Sequence, residues 1–137
     1  MDNKKIIKRI IAAVLLIAII FTLGYCMRVA RYKMAIKALT FKEVELSHVP
    51  DGEYVGTCDV GLISATVHVN VKEGKIEDID LVKHKNEKGK AAEGIVGDIV
   101  QQQKIDVDAI SGATNSSKVI KKAVENALES STGGVVQ

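Results

Sequence analysis

Eighteen consecutive residues near the start of this chain carry no charge. Ile10 to Met27 (IIAAVLLIAIIFTLGYCM) takes 16 of its 18 residues from the hydrophobic set. As a helix the run spans about 27 Å, roughly the hydrocarbon thickness of a bilayer. Cleaved leaders have shorter apolar runs, about 7–15 residues. The RVARYKMAIK that follows is basic and offers no small-x-small cleavage site. In Leu23-Gly24-Tyr25-Cys26 a bulky Tyr precedes the Cys where a lipoprotein box has a small residue. The run therefore reads as a retained transmembrane anchor over residues 10–27, and the rest of the 137 residues has room for one small domain.

Charge is partitioned around that anchor. Residues 1–27 carry +3, residues 28–49 again +3, and residues 50–137 carry −4. Basic residues flank the span almost equally on both sides, so the positive-inside rule does not orient it. The acidic remainder, with Tyr54 its one aromatic beyond residue 49, argues against a nucleic-acid partner, which needs a basic face and stacking rings. Two Cys exclude a disulfide-dense scaffold, and no Cys/His cluster has zinc spacing.

Beyond the span, Val29, Tyr32, Ile36 and Leu39 recur at helical spacing. Either the helix continues to about Leu39, or residues 28–49 form a basic strip against membrane lipid headgroups that runs into a linker. From Pro50-Asp51-Gly52 the period becomes two. Strands are expected at Glu53–Cys58, Ile63–Lys72 and Lys75–Lys83, the last two joined by a Glu73-Gly74 hairpin, with Ile63, Ala65, Val67, Val69 and Val71 on one face. Two amphipathic helices follow, one from Ala91 to about Gln103 and one from about Ser116 to Glu129. The fold class is α+β: one N-terminal transmembrane helix, then a small antiparallel sheet packed with two helices over residues 50–130, and a flexible tail at 131–137.

Between the helices lies Ile105 to Ser117 (IDVDAISGATNSS). Its alternation predicts a short strand that runs into a turn at Gly112 and then into hydroxyl residues at a helix start. The free N–H groups of such a start attract anions, phosphate above all. Thr114 adds a hydroxyl for covalent attachment, with Ser116 and Ser117 as alternative acceptors. A Gly turn with a Ser cap explains the same residues without a ligand.

The run Asp108-Ala109-Ile110-Ser111-Gly112-Ala113-Thr114 resembles the D-x-x-[ST]-G-A-[ST] motif of the FMN-binding domain family. That family includes the C subunit of the sodium-translocating NADH:quinone reductase and the G subunit of the related electron-transport complex. The similarity extends over about residues 50–130. It implies FMN esterified through its phosphate to Thr114, installed by a magnesium-dependent flavin transferase that uses FAD. Asp108, Ser111, Gly112 and Ala113 would form the recognition motif and part of the phosphate cradle, and Asn115, Ser116 and Ser117 would supply N–H groups to the phosphate. Covalent retention suits a domain outside the cytoplasm, which makes residues 1–9 a cytoplasmic tail.

His84 matches a family His before the cofactor loop and is either a flavin contact or an exposed side chain. His68 and His48 read as solvated, and Cys58 as a packing thiol. Gly94 and Gly97 mark either a close approach or a weak helix. Where the longer members of the family it resembles have a Thr-Pro-Gly stretch after the His that His84 matches, the sequence here is Lys85-Asn86-Glu87-Lys88-Gly89-Lys90. The charge run Lys83–Lys90 reads as a solvated loop or a docking site for a redox partner. With no acid–base or nucleophile constellation, the expected role is an electron carrier between a membrane donor and an extracytoplasmic acceptor. The competing readings are a flavin-free anchored binding module and a noncovalent FMN protein. Only Tyr54 is available within the domain to stack on the flavin ring.

Overall fold

The computed structural model describes residues 2–86 and 88–132. The elements run α1 (Asn3–Ala38), β1 (Gly52–Asp59), β2 (Ser64–Lys72), β3 (Lys75–Lys85), α2 (Ile95–Gln102) and α3 (Thr114–Ser131). Most of the tail expected at 131–137 lies outside the described residues, as does Glu87 in the charge run.

α1 is one unbroken helix of 36 residues, about 54 Å long. It is the one described helix long and apolar enough to cross a membrane, and Ile10 to Met27 are exposed throughout. The helical continuation past the span is real. Its last turns meet the domain, where Ile36 is buried and Tyr32 and Leu39 pack against the core.

The three strands form an antiparallel sheet in the order β1-β2-β3. The period-two reading of β2 holds along its length, with Ala65, Val67, Val69 and Val71 at most 1% exposed. Their face is covered by α3 lying across β1 and β2, while α2 packs on β3. β3 departs from simple alternation. Asp78 pairs with Asn70 and Ile76 with Val71, so Glu77 is an extra residue on its strand. This bulge turns Ile76 and Ile79, three apart, onto the same buried face. At the hairpin both Glu73 (φ 51°) and Gly74 (φ 72°) are left-handed, the geometry of a type I′ turn. The Glu73 N–H is held by Asp51 Oδ1 at 2.7 Å.

Three sequence expectations are corrected. The first expected helix begins as a 3-10 turn over Lys90–Gly94 and becomes α-helical only at Ile95. Its end is pinned by Gln103, whose amide accepts from Ile76 N–H and donates to Ile76 O, both at 2.8 Å. The second helix starts at Thr114, two residues early, and its cap is Ala113 with no side-chain capping bond. No strand forms at 105–110, because side chains satisfy that backbone in place of a neighbouring strand. The Glu43 carboxylate accepts the N–H groups of Ile105 and Asp106 at 3.0 and 2.8 Å, and Ser117 Oγ accepts that of Ile110 at 3.0 Å. Lys121 braces the same segment, donating to Asp106 Oδ1 at 2.7 Å and Val107 O at 3.0 Å, with Phe41 4.4 Å below its ammonium.

Candidate functional site

The site grows from the start of α3. Ile110 O accepts the Ala113 N–H at 3.0 Å, closing a tight turn in which Gly112 sits at φ +78°. A side chain at Gly112 would be strained there, although space around it is open. The first backbone bond of α3 comes from Ser117 N–H to Ala113 O at 2.9 Å. The N–H groups of Thr114, Asn115 and Ser116 therefore precede the helical ladder and have no side-chain cap, which makes this end of an 18-residue helix electropositive.

A groove of about 380 Å³ opens over these donors, within the range of about 300–1,000 Å³ usual for small-molecule sites. Gly112, Ala113, Thr114, Asn115 and Ser116 form one side of it. Leu62 and Ile63, from the turn between β1 and β2, form the apolar floor, and Lys88-Gly89 makes a lip. The remaining wall is Tyr32 of α1. Its hydroxyl accepts from Asn115 Nδ2 at 2.9 Å, joining the long helix to the residue beside Thr114.

The hydroxyls that the sequence places here have different situations. Thr114 and Ser111 are exposed, as are Asp108 and Gly112. Ser117 is fully buried, and its Oγ donates to Ala113 O at 2.8 Å while accepting from Ile110, so it shapes the turn from behind. Ser116 is 2% exposed, and its Oγ is buried with no hydrogen-bond partner. The Gly89 lip covers this hydroxyl, so the part of Ser116 that serves the groove is its backbone N–H. Free helix N–H groups at the edge of an open groove fit a phosphate-bearing ligand.

His84 is not the exposed side chain of one sequence reading. Its imidazole is 2% exposed, with Nδ1 3.1 Å from Glu93 Oε1 and 3.3 Å from Asn86 Nδ2. Nδ1 donates to the carboxylate, which leaves Nε2 buried and unpartnered. His84 does not line the groove. It stands behind the lip, since Asn86 Oδ1 also accepts the Gly89 N–H at 3.1 Å. His68 and His48 pair with Glu53 and Glu45 at 2.8 and 3.4 Å. Burial pushes the Cys58 thiol up, with Lys122 partly opposing, consistent with a packing residue. No other part of the chain comes within 4 Å of a Cβ placed at Gly94 or Gly97, so close backbone packing does not explain them.

The lip depends on Gly89. A Cβ at that position would run into the Ser116 hydroxyl and stand 2.6 Å from Ser116 Cβ. Gly89→Ala is expected to destabilise the domain by about 1–3 kcal/mol, read as a drop in thermal midpoint of roughly 4–8 °C per kcal/mol. Gly97→Ala, in open space, should stabilise α2 by up to about 1 kcal/mol.

Sequence reasoning missed Tyr32 as a groove residue. Helical spacing placed it on a stripe with Val29, Ile36 and Leu39, but nothing local indicates that this stripe meets residues 112–116. Gly89 was also missed, and the available signal was a glycine in a charged run just before a helix.

Comparison with known proteins gives the family of the domain that carries most of this groove. The model of the FMN-binding domain matches residues 61–129, which include Leu62, Ile63, the lip and the whole start of α3. An uncharacterized protein of Treponema pallidum (strain Nichols) is 31% identical over 86 residues, covering 61% of this chain. The chain spans 24% of that relative's length. With its long apolar helix and a domain match over half its length, this chain belongs to the FMN-binding domain family.

Proposed function

We propose that the chain is a membrane-anchored, extracytoplasmic electron carrier with FMN esterified to Thr114. The observation that carries this reading is the placement of one exposed motif hydroxyl at the groove. Thr114 lines the groove at the last position of the SGAT run, Ser111 is exposed but outside the lining, and Ser116 and Ser117 are buried. In the attachment step Thr114 Oγ1 bonds to the FMN phosphorus of FAD, the pyrophosphate bond breaks, AMP leaves, and the hydroxyl proton passes to solvent. A flavin transferase supplies the catalysis.

Each part of the groove then has a task. The N–H groups of Thr114, Asn115 and Ser116 bind the phosphodiester at the electropositive end of α3. Leu62 and Ile63 present an apolar surface to the ring, and Lys88 places a cation at the lip. When bound, FMN supplies one- and two-electron transfer, and the chain supplies position and electrostatics. A donor in the membrane is supported by α1 itself, since Tyr32 follows Met27 by only about 7.5 Å of helix rise. An extracytoplasmic acceptor and domain are supported by the advantage of a covalent link where lost flavin is not replaced.

Coexpression of the full chain with a flavin transferase, followed by denaturing electrophoresis, tests the reading. The expected result is a fluorescent band at 14.8 kDa that externally added protease removes from spheroplasts. A dark band from colourless protein supports the flavin-free module, and colour released on denaturation supports noncovalent FMN. Protection of a fluorescent band from external protease would reverse the topology.

A further inference from the structure

We infer that Tyr32, carried on the membrane helix, is the aromatic wall of the flavin site, so that the site is shared between anchor and domain. The inference rests on FMN occupying the groove at Thr114 and adds what faces its ring. The polar lining groups Thr114, Asn115 and Ser116 gather at one end, where the phosphate belongs. Away from the helix start, the lining left for an isoalloxazine ring is Leu62, Ile63, the Lys88-Gly89 lip and Tyr32, of which Tyr32 alone is aromatic.

Tyr54, the only ring that the domain itself offers, is excluded by position. It lies five residues before Asp59 on β1, about 17 Å along the strand from the end that leads into Leu62 and Ile63. Its hydroxyl is committed to Pro50 O at 2.7 Å. Tyr32 is half-buried and lines the groove, and it is latched by the Asn115 amide at 2.9 Å. A ring held there sits against a helix that leaves the membrane five residues earlier. Its exposure is therefore governed by how firmly α1 docks on the domain. A second groove beside it, lined by Arg28, Arg31 and Asp59, shares Tyr32 and Leu62 with the cofactor groove.

The test uses full-length flavinylated protein in nanodiscs. Tyr32→Ala removes the wall. An aromatic contact of about 1 kcal/mol corresponds to about a fivefold change in the covered-to-uncovered ratio, so iodide quenching of the flavin should rise several-fold, up to that limit. Tyr32→Phe keeps the wall and removes the phenol that quenches the excited flavin. Its iodide access should stay below that of Tyr32→Ala, since only the Asn115 latch is lost, while its fluorescence lifetime lengthens, a signature that a purely structural role would not produce. Tyr25→Ala, on the same helix but outside the groove, should change neither quantity.

Parent-like iodide access in a flavinylated Tyr32→Ala protein, or a parent-like lifetime in Tyr32→Phe, overturns the inference and leaves the covalent flavin standing. Equal increases in Tyr25→Ala and Tyr32→Ala also overturn it, because they would report general loosening of α1. A parent protein with no fluorescent band on a denaturing gel overturns the flavin assignment itself.

Discussion

Thr114→Ala is expected to eliminate the covalent flavin signal entirely while leaving the domain folded. In-gel fluorescence and intact mass read the first effect, and thermal unfolding reads the second. Loss is complete because no other hydroxyl of the helix start is free to react. Ser117 holds the turn through two hydrogen bonds, and Ser116 is buried beneath the Gly89 lip. The fold survives because the Thr114 side chain is exposed and does not cap α3, a task that falls to the backbone at Ala113. Surface changes of this kind fall within about 0.5 kcal/mol. Fluorescence retained in Thr114→Ala would move the attachment to Ser111, the other exposed hydroxyl of the motif. The sequence alone had pointed instead to Ser116 or Ser117 as substitutes.

That difference shows what the sequence could and could not carry. β2 was legible because five apolar residues at period two admit one buried face, and α3 because its stripe spans nearly three turns. The SGAT turn was legible because Gly112 is needed at a positive φ. The errors came where a distant side chain replaced a backbone partner. Residues 105–110 alternate like a strand, yet Glu43, some 62 positions earlier, takes their first N–H groups. His84 looked exposed at the end of a strand until Glu93, nine residues later, folded back over it. Tyr32 and Asn115 are 83 positions apart. A pairing at that separation depends on the angle at which α1 leaves the domain, and no local pattern encodes that angle. Residues 50–137 hold one aromatic, and the ring that lines the groove, Tyr32, belongs to the helix before them.

Gly56→Ala is expected to have the largest effect on stability of any single methyl addition considered, and to remove the site along with the fold. Gly56 lies on β1 where α3 crosses it, and a Cβ there would collide with the Ala123 carbonyl oxygen and stand 2.5 Å from Ala127 N and 2.7 Å from Ala127 Cβ. Two of those three atoms are helix backbone, so no rotamer change makes room, and α3 must lift from the sheet. The same helix buries Val119, Ile120, Ala123, Val124, Ala127 and Leu128 at 0% exposure, so displacement opens the whole interface at once. Overpacking costs about 1–3 kcal/mol where side chains can adjust, and this backbone clash belongs at or above the upper limit. At roughly 4–8 °C per kcal/mol for a domain of this size, the thermal midpoint should fall by roughly 12–24 °C. Val55→Ala, one residue away on the open face and 54% exposed, should shift it little. Because α3 carries Thr114 at its start, Gly56→Ala should also lose flavinylation. That joint loss contrasts with Thr114→Ala, where chemistry fails on an intact fold, and a Gly56→Ala protein that unfolds like the parent would refute the close packing of α3 on β1.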